Sequence, residues 1–195
     1  YPYVHPNPYY NLTKPTTIGR SDYAANAGDN YPGVPAPGPS SLSDGDASLP
    51  KALSTHKSSG SFQPDGALNG TGICHMLSTV KMAHVTDGAT NTILAGEKGL
   101  DPNGYYSGTL EDDDQGWNLG YDWDVVRWGS VNDPLLQDTP GIDAATAFGS
   151  AHASGVQMVF CDGSIHNLTF TTDSHVLGFL CNRADRQPID WSKLQ

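Results

Sequence analysis

Almost every window of fifteen residues along this chain contains a glycine or a proline, and that punctuation limits its folding more than any other feature. Proline removes a backbone donor, and glycine costs a helix interior about 1 kcal/mol, so long helices with an unbroken apolar stripe are ruled out. The 22 glycines and 14 prolines among 195 residues suit short strands joined by ordered turns. That length supports one domain with its own core. No stretch approaches the roughly 18 consecutive apolar residues of a membrane-crossing helix.

The punctuation is uneven. Ten of the fourteen prolines fall within residues 1–66, densest in YPGVPAPGPSSLSDGDASLP from Tyr31 to Pro50. Fixed φ and missing donors predict an extended, irregular segment lying over a core supplied by residues 67–195. Inside that segment SDYAANAGD, Ser21 to Asp29, predicts a short strand or turn. From Gly70 an apolar, strand-like stretch leads to Thr86-Asp87-Gly88, where Thr86 or Asp87 is expected to cap a single helical turn through Asn91. Thr92 to Glu97 is β-prone. Residues 101–147 read as a long ordered loop centred on EDDDQGWNLGYDWD, because tryptophans at such density bury.

The last third is the most regular. VQMVFC, Asp162-Gly163 and SIHNLTF spell strand, turn and strand; a two-residue type I′ turn puts Phe160 opposite Ile165 and Cys161 opposite Ser164. TTDSHVLGFLCNR, Thr171 to Arg183, predicts a short helix with Thr172 or Asp173 at its N-cap and Val176, Leu177 and Leu180 facing inward. The fold class expected is α+β, with an antiparallel sheet, one or two short helices and long ordered loops.

A net charge of −11 repels phosphates, which argues against a nucleic-acid partner. Cys74, Cys161 and Cys181 lack the CxxC spacing of a metal cluster and leave room for one disulfide and a spare thiol. The histidines show no HExxH pattern, so zinc is not indicated. Glu111, Asp112, Asp113, Asp114, Asp122 and Asp124 crowd six carboxylates into fourteen residues, a supply of the hard oxygen ligands calcium requires, though not in EF-hand order. Beside them Trp117, Tyr121, Trp123 and Trp128 suggest a platform for stacking a pyranose ring; the plainer reading is that they fill a core short of aliphatic residues. Ser150, His152 and Asp162 are the residue types of a hydrolytic triad, but they lie in an extended segment without a G-x-S-x-G elbow. The reading favoured is structural: His152 bonds backbone or a carboxylate to fix the approach to the hairpin, while Asp162 and Gly163 make the turn.

FGSAHASGVQMVFCDGSIHNLTF, with nine residues between His152 and Asp162-Gly163, resembles the C-terminal signature of planctomycete proteins grouped as domain of unknown function 1559. Those proteins are similar to type IV pilins and type II secretion pseudopilins. YPYVHPNPYYNL, RSDYAANAGD, VTDGATNTILAGE and DDQGWNLGYDWDVVRW extend the likeness over nearly the whole chain. Asp87, Gly88, Asn91, Thr92 and Glu97 match the family's internal Asp-Gly, Asn-Thr and Gly-Glu elements. The resemblance implies a pilin-like globular domain acting by assembly or adhesion at the cell surface rather than by catalysis. Its partners would be other pilin-like subunits or surface components, polysaccharide among them. It further implies an extracytoplasmic location and a membrane anchor through an N-terminal hydrophobic helix that this stretch of sequence lacks. Similarity to calcium-binding major pseudopilins points to the same acidic loop. The alternatives are an extracellular carbohydrate- or solute-binding module and a hydrolase.

Overall fold

The computed structural model of the chain describes residues 13, 15–33, 70–76, 78–118 and 120–194. Most of the proline-rich segment therefore lies outside the described residues. Within them the strands, in chain order, are β1 (Tyr23–Gly28), β2 (Ile93–Glu97), β3 (Val126–Trp128), β4 (Leu136–Gln137), β5 (Gly149–Ser150), β6 (Val156–Phe160) and β7 (Ile165–Leu168). One α-helix follows, α1 (Ser174–Cys181), and short 3-10 turns fill several connections. Five strands form a sheet in the order β3-β1-β2-β6-β7, while β4 and β5 pair separately. The class is α+β, as composition and patterning predict.

The sheet is mixed rather than purely antiparallel. β1 runs antiparallel to β2, as do β2 to β6 and β6 to β7, but β3 lies parallel to β1 with Ala25 opposite Val126. Loop length explains the difference. β2 ends where β1 begins, with Glu97 opposite Tyr23, and residues 98–125 carry the chain along that same end of the sheet before β3 starts. A connection that returns to its own end reverses the chain, so β3 runs antiparallel to β2; its length carries β3 past β1 to the far edge, where it lies parallel to β1 because β1 also opposes β2.

Burial also decides the register of the last hairpin. Val159 pairs with Ile165 and Met158 with His166, one residue away from the register of a type I′ turn. Val156, Met158, Phe160 and Leu168 are all buried, whereas Ile165 is exposed. The type I′ register would set Leu168 opposite exposed Gln157 and turn it out of the core, since a one-residue slip exchanges the two faces. The loop accordingly holds three residues, Gly163 N donating to Phe160 O at 2.9 Å, with Gly163 alone at positive φ (+87°).

One face of the sheet packs against α1, so that Ile93, Phe148, Met158, Phe160 and Leu168 meet Val176, Leu177, Leu180 and Cys181. Asp173 caps the helix, its carboxylate accepting from His175 N at 2.9 Å, and the three predicted inward positions are buried. Asn26, fully buried in β1, donates to Ile93 O (2.7 Å) and Cys181 O (2.9 Å) and accepts from Gly28 N (2.8 Å), tying two strands to the end of the helix. Such a side chain stabilises only because its polar atoms are satisfied.

Two local expectations fail around residues 70–91. The apolar stretch after Gly70 is bends and a turn rather than a strand: Gly72 and Cys74 donate to Ala27 O and Asn26 O, and residue 72 approaches β1 so closely that a Cβ there would fall 2.3 Å from Gly28 N, which leaves room for glycine alone. The turn through Asn91 is a 3-10 turn (Ala89–Asn91) with Gly88 at its start and no side-chain cap. Asp87 instead accepts from the amides of Asp185 (2.7 Å) and Arg186 (3.0 Å), which pins the segment after α1. All three cysteines are free thiols, and burial pushes the Cys181 thiol up.

Candidate functional site

One end of the sheet is charged. Arg20 and Asp22 lead into β1, Glu97 and Lys98 close β2, Ser150 and His152 precede β6, and residues 98–125 run beside them into β3. Lys98 has no exposed side-chain surface, and its ammonium donates to Asp113 Oδ1 (2.9 Å) and to the carbonyls of Asp112 and Asp124 (both 3.1 Å). Arg127, equally buried in β3, donates to Asp112 Oδ2 (2.7 Å) and Ala147 O (3.1 Å). Arg20 grips Asp113 Oδ2 at 2.6 Å and Tyr105 O at 3.0 Å. Three cations of the framework thus hold the acidic loop against the strand ends.

The carboxylates of Asp112 and Asp113 face the protein's own cations, and among the described residues no three His, Cys, Asp or Glu side chains are grouped to hold a metal ion. The remaining acids are perturbed by crowding. Burial first, then the carboxylates of Asp122 and Asp113, push Asp124 up to about 6, against the opposing amide of Gln115 and the charge of Lys98. Burial and the neighbouring Asp124, Asp122 and Glu111 raise Asp114 to about 7. Asp122 and Asp112 are also raised by burial. Burial depresses Lys98, with Asp113 pulling the other way.

Beside the network opens a cleft of about 450 Å³, lined by Arg20, Asp22, Glu97, Lys98, Tyr105 and His152 among others. Tyr105 and Tyr106 form its aromatic side. Tyr105 donates its hydroxyl to Asp138, which also accepts from Leu100 N at 3.0 Å. Glu97 accepts from Gln157 N at 2.7 Å and stands 3.2 Å from His152 Nε2.

The model of a family described as protein of unknown function (DUF1559) matches residues 3–175. This chain belongs to that family. No curated protein and no solved structure matches it.

The residues singled out by their likeness to DUF1559 proteins all lie within the matched span, and each has a definite place. His152 is 63% exposed and pairs with Glu97, while Asp162 sits at the hairpin tip and accepts from Ser164 N (2.9 Å) and Ser164 Oγ (2.7 Å). The tip lies beyond the opposite end of β2, where Asp162 N donates to Ala89 O, so Ser150, His152 and Asp162 do not converge as a triad. Ser150 Oγ accepts from the backbone of His152 instead. Gly88 stands at φ +97°, its carbonyl accepting from Asn91 N and Thr92 Oγ1; Asn91 in turn donates to Asp87 O.

The aromatic platform is divided in this DUF1559 domain. Trp128 is fully buried and packs with Val126 and Ala27, and Tyr31, Tyr121 and Trp123 close over that cluster half-buried. Trp117 is 67% exposed and stands apart, its amide bonded to Gly19 O. The four rings share no common exposed face because three of them fill the β1–β3 edge, as a core poor in aliphatic residues demands. Sequence reasoning missed Lys98, Arg127 and Arg20. A lone lysine after a β-run and an arginine in VVRW carried a weak signal: cations at positions whose flanks bury.

Proposed function

We propose that this domain is a structural, surface-exposed part of a pilin- or pseudopilin-like protein, acting outside the cytoplasm by assembly or adhesion rather than by catalysis. The observation that carries the reading is the use of its charged residues: Asp113 bridges Lys98 and Arg20, and Arg127 holds Asp112, so the acidic loop is locked to the sheet. Such a network gives a rigid platform whose outer surface is free for contact with other subunits, surface components or polysaccharide. The resemblance to pilin-like proteins supports the same reading. A test is to tag the complete gene product in its own cells, shear surface filaments and probe them. Recovery in the filament fraction, with labelling of intact cells by an impermeant reagent, is the expected result; confinement to the cytoplasm refutes the reading.

The cleft favours a second reading, an extracellular carbohydrate- or solute-binding module. Its volume lies within the range of small-ligand sites, and aromatic and polar groups line it together. Saturable binding of a small solute at the cleft supports that role, which is compatible with attachment to a surface assembly.

A further inference from the structure

We propose that the cleft beside Glu97 takes an ammonium group, carried by an amino sugar or a lysine-like side chain. The inference rests on the second reading above and names the chemistry of its ligand. Hydrogen-bonding capacity decides the matter. The three donors of Lys98 are spent on Asp113 and two carbonyls, three of the five N–H groups of Arg20 go to Asp113 and Tyr105 O, and the Tyr105 hydroxyl donates to Asp138. Most donors of the floor are therefore occupied. Acceptors remain in plenty, because each carboxylate offers about four lone-pair sites. Glu97 uses its oxygens on one amide and His152, Asp138 accepts from one amide and one hydroxyl, and Asp22 at the rim has no ion-pair partner among the described residues.

Charge points the same way. Four carboxylates, Asp22, Glu97, Asp113 and Asp138, line the cleft with two cations, Arg20 and Lys98, which leaves it negative. An anionic ligand would meet cations already paired, and a neutral sugar would gain nothing from the excess charge. An ammonium supplies three donors and no acceptor, which complements this lining, and the rings of Tyr105 and Tyr106 suit an alkylammonium or the apolar face of an amino sugar.

The test is NMR titration of the whole chain with glucosamine, glucose, N-acetylglucosamine and Nα-acetyl-lysine methylamide. Glucosamine is expected to shift resonances of Glu97, Tyr106 and His152 saturably with a Kd of about 1 mM, roughly tenfold tighter than glucose or N-acetylglucosamine, since a charged hydrogen bond is worth about that factor. Asp22→Asn and Glu97→Gln are each expected to remove most of that preference; Gln at 97 keeps an acceptor for Gln157 N, and unchanged spectra elsewhere verify the fold. Tighter binding of glucosamine than of the lysine derivative assigns a saccharide source, and the reverse assigns a protein side chain. Equal affinity for glucose and glucosamine overturns the ammonium inference while leaving a solute site standing. Absence of saturable shifts with all four probes to ~10 mM overturns both.

Discussion

Removing the Asp113 carboxylate by Asp113→Ala is expected to destabilise the domain by about 3–5 kcal/mol, the range for stranding one partner of a buried ion pair. Asp113 is 4% exposed and bridges two cations of unequal circumstance. Arg20 retains one tenth of its side-chain surface and can turn toward water. Lys98 has no exposed side-chain surface; without Asp113 its ammonium keeps only the carbonyls of Asp112 and Asp124. Stability would be read from urea unfolding at pH 7 by tryptophan fluorescence, with a melting temperature lowered by about 10 °C for a domain of this size. Lys98→Met in the same chain removes the stranded charge, so the double variant should be more stable than Asp113→Ala alone by about 1–3 kcal/mol. A loss below about 1 kcal/mol in the single variant, or a double variant whose loss equals the sum of the two singles, refutes the account of a buried coupled network.

Stability should rise as pH falls from 7.5 toward 5: the folded-state value of about 6 for Asp124 exceeds the ordinary carboxylate range, so the folded form holds the extra proton there. That contribution is complete below the unfolded value and lost as pH rises through 6. Asp124→Asn keeps an acceptor for Gln115 N and should flatten the slope; parallel urea midpoints for both proteins across that range would count against the assignment. Gly163→Ala should cost about 1 kcal/mol in the same assay, because φ is +87° while no atom within 4 Å obstructs a Cβ; a neutral result would mean that the turn relaxes. Calcium or EDTA at about 1 mM should move the melting temperature by less than about 1 °C, since Asp112 and Asp113 already face protein cations; a larger rise with calcium would make the loop a metal site. Iodide should quench Trp117 most and Trp191 less, so Trp117→Phe should remove the larger share of the quenching; quenching unchanged by that substitution contradicts the exposure of Trp117.

Much of the local structure was legible in the chain. Asp173 ahead of Val176, Leu177 and Leu180 marks a helix start and its inward face because capping and 3.6-residue periodicity act within a few residues. Ile93–Glu97 and the final hairpin likewise follow from β-prone runs bounded by turn residues, while Tyr23–Gly28, rich in Ala, Asn and Gly, was legible only as a strand or a turn. The hairpin shows the limit. Asp-Gly announced the turn, but the choice between two- and three-residue loops fell to Leu168, which shares the buried face of β6 only in the observed register.

An α+β domain of short elements, its turn at Asp162-Gly163 and its family membership follow from the order of residues alone, since glycine and proline placement, periodicity and motif spacing are properties of the chain. It took the folded chain to place β3 parallel to β1, to bring His152 to Glu97 rather than Asp162, and to pair Lys98, Arg127 and Arg20 with Asp112 and Asp113 of the acidic loop. The physical reason is distance along the chain. Arg20 lies 93 residues from Asp113, and a charge becomes ligand, staple or solvated surface according to what folding sets beside it and how much water it leaves there.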